Sequence, residues 1–384
     1  MVTMKISRCQ SILFSIIAII IFTSCVKTPS YGLVFTANDE NNGATGVYRF
    51  NSNDNSLVRL AYVNDHWFSI WLDDVSKDGK LILANYYSNE TKTLDRFNRD
   101  SALFRVEQGK PLQQIFRLPQ GISEAKLSPD GNHIAIIDSK YPYSLWIGDP
   151  NNLKKENLKQ VSSSIWSGAR ISGIDWSPDG KYLAYTKHGE ISENFDKDKM
   201  YTEIFLVDIS TFETKKLTDV SSGCIGPLWA PTGKWVSMLC SGTAPLYRKT
   251  FWVAPDGSNM RMVEKNVIER ETAYSYVWSP NGEYLAYLSF NLDKNIDIVH
   301  IVRTDGSEVG RFSIPISDVY EIEGFVWTPD NAHLIFNVSN FPDPDSDPEE
   351  IQYQIIKTDL KGNDLQVLNN QFSNYEDLHI YELP

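Results

Sequence analysis

Short apolar segments alternate with polar turns along most of the chain, and six of these segments are copies of one motif. In a typical copy, Trp or another apolar residue precedes Ser-Pro-Asp-Gly, and a run of apolar residues follows. The copies are VSKDGKLILA (75–84), LSPDGNHIAI (127–136), WSPDGKYLAY (176–185), WAPTGKWVSM (229–238), WSPNGEYLAY (278–287) and WTPDNAHLIF (327–336). An apolar run this short between turn signals predicts a buried β-strand.

The polar part of each copy predicts a hairpin turn. Pro presets φ at the first corner, Asp or Asn tolerates the second, and Gly adopts the left-handed conformation that closes a three-residue loop with a bulge. The last copy has Asn331 in place of Gly, and Asn is the next most tolerant residue at positive φ. We therefore expect the same hairpin in all six copies.

A second strand pair follows each hairpin, as in FWVAPDGSNMRMV (251–263) and VHIVRTDGSEVGRF (299–312). Each unit is then a meander of four strands with two apolar faces, which is stable only between like neighbours in a closed ring. The mean spacing of 50.4 residues divides residues 31–384 into seven units. Residues 33–61 contain three strands and EDLHIYELP (376–384) contains one, so the two termini together complete a seventh blade. An alternative is a six-bladed ring with an N-terminal arm.

The repeated W-[ST]-P-[DN]-G followed by an apolar tetrad resembles the TolB-like (PD-type, WD-repeat-like) β-propellers over essentially all of residues 31–384. The resemblance implies an all-β, seven-bladed propeller of four-stranded antiparallel blades. It leaves function open, because such propellers occur as periplasmic scaffolds, as sugar-acting enzymes and as gating domains of prolyl peptidases.

The first 25 residues predict export and a lipid anchor. Lys5 and Arg8 precede an apolar run from Ile12 to Phe22, which is too short to span a bilayer as a helix but suits a signal peptide. The residues Phe22-Thr23-Ser24 before Cys25 resemble a bacterial lipoprotein signal. We expect a signal peptide at 1–24, lipidation of Cys25, a tether at 25–30 and the propeller at 31–384. An ordinary secretory peptide with an incidental Cys25 is the alternative.

The composition excludes several kinds of partner but does not change the predicted fold. The formal charge is −13, and 42% of residues are hydrophobic. The acidic balance argues against nucleic acid or an anionic membrane surface as a partner, and the apolar content argues against disorder. We expect membrane contact only through the N-terminal lipid, and a monomer.

Enzymatic motifs are absent from the sequence. There is no G-x-S-x-G, which a prolyl peptidase needs in a hydrolase domain after the propeller, and no G-x-x-x-x-G-K-[ST], H-E-x-x-H or C-x-x-C. His133 and His333 share a repeat position, His300 lies mid-strand, and only His66 and His188 fall in loops. The TolB-like propellers that the chain resembles include oligogalacturonate lyases, which bind a divalent metal with His side chains around the central channel. The alternating carboxylates of the acidic loop 341–350 are typical of a calcium site, but the loop has three prolines and lacks the Gly that an EF-hand turn requires. We expect no catalytic residues, metal or cofactor.

Two further residue sets have structural interpretations. Trp176, Trp229, Trp278 and Trp327 recur four residues before the turn position, which indicates packing between blades rather than a carbohydrate platform. In the fifth blade, a three-residue loop pairs Ala230 with Lys234 and so places Cys224 opposite Cys240. That count puts the cysteines on a hydrogen-bonded pair, where the Cβ atoms are far apart for a disulfide, so a disulfide and two free thiols both remain open.

Loop lengths vary on the face opposite the Pro-Asp-Gly turns, and variable loops on a rigid scaffold are where binding usually resides. The candidate contacts there are Trp67, Trp166, Arg170, Tyr247 and Arg248. We expect a non-enzymatic binding or scaffold module of the bacterial cell envelope that docks a protein or cell-wall-associated partner. The alternative is a carbohydrate-active enzyme or sugar-binding lipoprotein that uses the central channel.

Overall fold

A computed structural model describes most of the repeat region. The described residues are 30–39, 44–63, 68–76, 82–88, 100–106, 113–119, 121–164, 169–189, 202–218, 223–241, 248–263, 270–314, 320–340, 352–369 and 374–382. The predicted signal peptide, Cys25 and nearly all of the tether lie outside these residues, and so do His66 and the acidic loop 341–350.

The described residues form seven antiparallel sheets of four strands each, so the seven-bladed propeller is confirmed and the six-bladed alternative is wrong. Strands are numbered in chain order, and each blade is given from its inner strand outward. Blade 1 is β28 (Asn374–Glu382), β1 (Tyr31–Asp39), β2 (Ala44–Asn51) and β3 (Ser56–Val63); blade 2 is β4 (Phe68–Val75), β5 (Ile82–Ser88), β6 (Asp100–Arg105) and β7 (Gln113–Arg117). Blade 3 is β8 (Ile122–Leu127), β9 (Ile134–Asp138), β10 (Ser144–Gly148) and β11 (Lys159–Ser163); blade 4 is β12 (Arg170–Trp176), β13 (Tyr182–His188), β14 (Thr202–Asp208) and β15 (Thr214–Lys216).

The remaining blades repeat the same order. Blade 5 is β16 (Cys224–Trp229), β17 (Val236–Cys240), β18 (Lys249–Val253) and β19 (Arg261–Met262); blade 6 is β20 (Glu271–Trp278), β21 (Tyr284–Asn291), β22 (Ile296–Arg303) and β23 (Glu308–Phe312); blade 7 is β24 (Tyr320–Trp327), β25 (His333–Asn340), β26 (Gln352–Asp359) and β27 (Gln366–Asn369). A single turn of 3₁₀ helix, Lys155–Asn157, interrupts blade 3. Within the described ranges, no helix has the length and apolar character needed to cross a membrane.

The C-terminal strand closes the ring. β28 pairs antiparallel with β1, from Tyr31 opposite Glu382 to Asn38 opposite Asn374, which is the closure that the sequence analysis expects. β28 also contacts β24 of blade 7 on one side and β4 of blade 2 on the other. Both ends of the repeat region therefore share blade 1, and the inner strands line the centre of the ring.

The hairpin turns differ in one detail from the prediction. In blade 3 the Gly131 amide donates to the Ser128 carbonyl, and the Ser128 amide donates to the His133 carbonyl, so four residues rather than three form the loop. Blades 4 to 7 repeat this bonding. The Ser128 hydroxyl accepts a hydrogen bond from the His133 amide at 2.9 Å and donates to Asp130, which explains the preference for Ser and Asp. Asn331 has φ of 60°, which confirms its left-handed conformation.

The repeated Trp side chains pack between blades, as predicted. Trp176, Trp229, Trp278 and Trp327 are 2 to 6% exposed. The Trp176 indole donates to the Lys126 carbonyl of the preceding blade at 3.0 Å, and the Trp327 indole donates to the Val277 carbonyl at 3.2 Å. Each ring therefore packs between two blades, and the indoles of Trp176, Trp278 and Trp327 also donate a hydrogen bond to the preceding blade.

The fold defines two opposite faces. In blades 3 to 7 the inner strand runs toward the hairpin turn of the repeated motif, and that side is called the turn face. The opposite side, where inner strands begin and second strands end, is called the loop face.

Candidate functional site

Carboxylates on the inner strands bond each blade to the next around part of the ring. Asp74 of blade 2 accepts from the Leu127 amide of blade 3 at 2.8 Å. Glu124 of blade 3 accepts from two amides of blade 4, and Asp175 of blade 4 accepts from the Trp229 amide of blade 5 at 2.6 Å. Asp73 also accepts from the Ala125 amide of blade 3, so carboxylates bind backbone amides across three successive blade junctions, and we call Asp74, Glu124 and Asp175 the clamp carboxylates.

A β-bulge exposes the two amides that Glu124 binds. The register of β12 against β13 shifts between Ser172 and Ile174, with Gly173 as the extra residue at φ of +58°. The bulge leaves the amides of Gly173 and Ile174 unpaired in the sheet, and both donate to Glu124 at 2.9 Å. The bulge is therefore part of the junction between blades.

Lys126 lies among the clamp carboxylates. Its ammonium is 2.6 Å from Asp175. Burial alone would lower the pKa of Lys126, but the charges of Asp175, Asp74 and Glu124 outweigh burial and raise it. Burial raises the pKa of Asp74 to about 6 despite the opposing charge of Lys126, and it also raises the pKa of Glu124. The cluster is one cation that stabilises several carboxylates at the centre of the ring.

The closing strand reaches the same cluster through His379. Burial, followed by the positive charge of Lys126, lowers the pKa of His379 to about 4, and a hydrogen bond with the backbone of Leu72 partly opposes this. The imidazole is therefore neutral at pH 7. Each clamp group in this part of the channel is already bonded to a neighbouring blade, so the arrangement serves ring closure.

A second buried network crosses blade 6. Glu271 accepts from Arg311 at 2.8 Å and from Asn291 at 3.0 Å, and its other oxygen lies 3.6 Å from His300 Nε2. Ser289 Oγ is hydrogen-bonded to the same Nε2 at 2.9 Å. Burial, then Arg311 and Lys249, lowers the pKa of His300 to about 3. Ser289 and Glu271 approach one ring nitrogen, whereas a catalytic triad places them on opposite nitrogens. His300 is thus a hydrogen-bonded core histidine.

The loop face carries a third cluster at the start of β12. Arg170 is exposed and pairs in register with His188 at the end of β13, so His188 belongs to a strand and not to a loop as expected. His188 Nε2 and Ser172 Oγ are hydrogen-bonded at 2.9 Å. Burial, and then the charges of Arg170 and Arg248, lowers the pKa of His188. The imidazole of His188 is therefore neutral at pH 7.

Arg248 links this cluster to blade 6. Its amide donates to Thr272 Oγ1 at 3.2 Å, and its carbonyl accepts from the Ala273 amide at 2.8 Å. Its side chain is exposed, as is that of Arg170. Within the described ranges, neither guanidinium has a carboxylate partner. We call Arg170, His188, Ser172 and Arg248 the arginine–histidine cluster.

The structure brings together two of the five predicted contacts. Arg170 and Arg248 both act on His188, whereas Trp67, Trp166 and Tyr247 lie outside the described residues. Ser172 and His188 were missed as site residues. Their positions in the sequence could have indicated this site, because both residues lie at the loop-face ends of paired strands. Ser172 is also only two residues from Arg170.

Cys224 and Cys240 are directly opposite in the register and joined by a disulfide, so the open choice resolves to the bonded form in this structure. Their Cα atoms are 4.0 Å apart, the close spacing of a non-hydrogen-bonded pair. The predicted pairing of Cys224 with Cys240 is therefore correct, but the predicted hydrogen-bonded position is wrong. The hairpin pairs Ala230 with Trp235 and so shifts the register by one residue, and a bulge between Ile225 and Leu228 shifts it back.

Among the described residues, no group of three or more His, Cys, Asp or Glu side chains is arranged to hold a metal ion.

Comparison with solved structures supports the propeller architecture. Prolyl oligopeptidase B from Galerina marginata aligns over 93% of this chain and 52% of its own, with a TM-score of 0.62 and 13% identity. An oligogalacturonate lyase in complex with manganese aligns over 90% of this chain and 86% of its own, with a TM-score of 0.59 and 15% identity. TolB from Acinetobacter baumannii covers 73% of this chain and 62% of its own at a TM-score of 0.46 and 17% identity. At these identities the likeness concerns the fold alone.

Sequence relatives are distant. The uncharacterised protein Atu1656 of Agrobacterium fabrum is 27% identical over 238 residues, which is 56% of this chain and 69% of that protein. Dipeptidyl-peptidase 5 of Porphyromonas endodontalis is 26% identical over 140 residues, or 36% of this chain. The chain spans less than a fifth of the length of the two peptidases that it matches. No family model matches the chain. The fold places the protein in the class of seven-bladed β-propellers.

Proposed function

We propose that the protein is a non-enzymatic binding propeller of the bacterial cell envelope that docks a protein partner on its loop face. The observation that supports this most is the division of charged groups between two regions. The channel carboxylates Asp74, Glu124 and Asp175 are bonded to the backbone of the next blade, whereas Arg170 and Arg248 present charge to solvent. The bonded carboxylates stabilise the ring, and the exposed guanidinium groups are available to bind a ligand.

The proposed location of the protein in the cell envelope rests on the first 25 residues. A short basic start, an apolar run and Cys25 after Thr-Ser support export followed by lipidation. Treatment of cells with globomycin, which blocks the lipoprotein signal peptidase, should leave the unprocessed precursor. Unchanged processing, or a Cys25→Ala protein that is still processed and membrane-bound, would remove the anchor from the proposal.

Site-specific photo-crosslinking in cells tests the docking face. A photoreactive amino acid is placed at Leu292 on the loop face, at Val367 on the outer strand of blade 7, or at Lys361 on the turn face. Leu292 and Val367 are matched, since they are 43% and 50% exposed. We expect one discrete protein adduct from Leu292 and none from the other two. Equal adducts from all three positions, or an adduct only at Lys361, would contradict docking on the loop face.

A carbohydrate-active role is the second candidate, and the arginine–histidine cluster is the observation that favours it. The neutral imidazole of His188 could take a proton from an acidic sugar whose carboxylate is held by Arg170, which pairs with His188 in register. Incubation with oligosaccharides of acidic and neutral sugars, followed by mass spectrometry, tests this function. New chain ends that require His188 would favour the enzyme over the scaffold.

A further inference from the structure

We propose that Asn281 and Gly282, in the hairpin turn between β20 and β21 of blade 6, form a latent deamidation site that the folded ring protects, so that the modification occurs only when this turn opens. An Asn followed by Gly is especially prone to spontaneous deamidation, because Gly has no side chain to hinder attack by its amide nitrogen. The chain contains two such pairs, and the other, Asn42 and Gly43, lies outside the described residues. The proposal is independent of any partner on the loop face.

The reaction needs no reactant except water. The backbone nitrogen of Gly282 attacks the side-chain carbon Cγ of Asn281, so that an N–Cγ bond forms and the Cγ–Nδ2 bond breaks. The amide proton of Gly282 leaves with Nδ2 as ammonia. Water then opens the resulting succinimide at either carbonyl and gives aspartate or isoaspartate at position 281. The first step requires that the Gly282 amide gives up its proton and that its nitrogen turns toward Cγ.

The folded hairpin bonds every polar group that must rearrange for this attack. The Gly282 amide donates to the Ser279 carbonyl at 2.8 Å, so its proton is already in use. Asn281 Oδ1 accepts from the Ser279 hydroxyl at 2.7 Å and from the Glu283 amide at 3.0 Å. The leaving nitrogen, Asn281 Nδ2, donates to Glu283 Oε2 at 3.1 Å. The turn therefore has to open before the two reacting atoms can meet.

Both neighbouring blades restrain the same turn. The Asn281 amide donates to Asn331 Oδ1 in the turn of blade 7 at 2.8 Å. On the side of blade 5, a Cβ added at Gly282 would lie 3.2 Å from the backbone nitrogen of Thr232, so the two turns pack closely. Opening of the blade 6 turn breaks these contacts as well as its own hydrogen bonds. The rate of deamidation is therefore set by the local stability of the ring.

Glu283 explains why blade 6 has an amide where other blades have an acid. The residues at the position of Asn281 in blades 3, 4 and 7 are Asp130, Asp179 and Asp330, and none of these is followed two positions later by an acidic residue. Deamidation of Asn281 would place a second carboxylate against Glu283, and like charges repel. Isoaspartate would also lengthen the main chain of the turn by one carbon. The modification thus weakens the hairpin that had prevented it.

Peptide mapping by mass spectrometry, after incubation at neutral pH, measures the rate of deamidation at position 281. The unstructured reference is the end-blocked peptide Trp-Ser-Pro-Asn-Gly-Glu-Tyr, which is residues 278–284. We expect deamidation in the folded protein to be at least about tenfold slower than in the peptide, since several hydrogen bonds must break first. Ser279→Ala removes the hydroxyl that binds Asn281 and should raise the rate about fivefold. The matched control Ser177→Ala removes the same hydroxyl from the turn of blade 4 and should leave the rate at position 281 unchanged.

A second variant keeps the inference testable if S279A does not fold. N331G removes the side chain that accepts from the Asn281 amide, while glycine suits the φ of 60° at this position, so the rate should again rise about fivefold. Melting temperatures of the three variants are measured first. Equal rates in the folded protein and the peptide would overturn the inference. So would a peptide that does not deamidate, or a rate in both S279A and N331G that is no higher than in S177A.

Discussion

The Lys126→Met substitution tests the physical basis of ring closure. It keeps an apolar stem of similar length but removes the cation that lies 2.6 Å from Asp175 and stabilises Asp74 and Glu124. Removing one partner of a buried ion cluster typically costs about 3–5 kcal/mol, because the remaining charges stay buried without compensation. The side chain of Lys126 is 32% exposed, so screening by solvent places the expected loss at the lower end, about 3 kcal/mol.

This loss corresponds to a measurable change in melting temperature. Unfolding entropy near 2.1 cal/mol/K per residue gives about 0.8 kcal/mol/K for a chain of this length, so 3 kcal/mol lowers Tm by about 4 °C. The matched control is Lys181→Met on the turn face, where an exposed ion pair with Asp179 is worth under about 1 kcal/mol. Differential scanning fluorimetry at pH 7 measures both variants.

Acidification separates the electrostatic effect from a packing effect. The pKa of Asp74 is raised by burial to about 6, so the folded protein binds a proton at this group more tightly than the unfolded chain does. Protonation therefore favours folding as pH falls through 6, and the deficit of K126M relative to the unmodified protein should shrink between pH 7 and pH 5. A deficit that equals that of K181M at pH 7, or that stays constant down to pH 5, would refute the reasoning.

Three other predictions concern the disulfide, the blade contacts and the buried histidines. Cys224 and Cys240 close a loop of sequence separation 16, so C224S/C240S should lose about 3 kcal/mol, and a reductant should destabilise the unmodified protein but not the variant; equal sensitivity to reductant would count against the bond. A Cβ at Gly310 would clash with the backbone carbonyl of Leu360 in blade 7, whereas Gly131 at φ of +72° has open space around it. Denaturant unfolding should therefore show a loss of about 3 kcal/mol for G310A and about 1 kcal/mol for G131A, and the reverse order would contradict the packing. Because the pKa of His300 is lowered to about 3, the unfolded chain takes up this proton first as pH falls below 6.5, so the contribution of His300 to stability should decline from pH 6.5 toward pH 4. Tm of the unmodified protein should therefore fall relative to Tm of H300Q over this range, and a constant difference would be inconsistent with a buried neutral imidazole.

The repeat pattern determines most of the architecture before any coordinates are known. The turn residues mark where each hairpin lies, and even Asn331 adopts the predicted left-handed conformation. The role of Trp176 and its counterparts also follows from spacing, because a side chain that recurs once in every blade meets the same neighbour each time. Pattern arguments succeed where each unit is stabilised by contact with a copy of itself.

The bulges of the inner strands are what the pattern did not reveal. Gly173 reads as an ordinary strand residue, yet its bulge frees the amides that Glu124 binds. A similar bulge in β16 moves Cys224 and Cys240 to a close pair, which a count from the hairpin alone does not give. The position of one extra residue depends on the neighbouring blade, and so local sequence does not specify it.

The site was predictable only in outline. Variable loops indicated the loop face and included Arg170 and Arg248, but the local sequence does not relate either residue to His188. The pairing of Arg170 with His188 depends on the register of β12 against β13, and Arg248 precedes β18 in the next blade.

Hydrogen exchange by mass spectrometry, with and without the partner captured through Leu292, tests most directly whether the loop face is the binding surface. We predict slower exchange on binding in residues 170–172, 248–250 and 270–274, and unchanged exchange in the turn-face segments 178–182 and 360–364. Protection confined to the turn-face segments, or no change in either set at saturating partner, would contradict it.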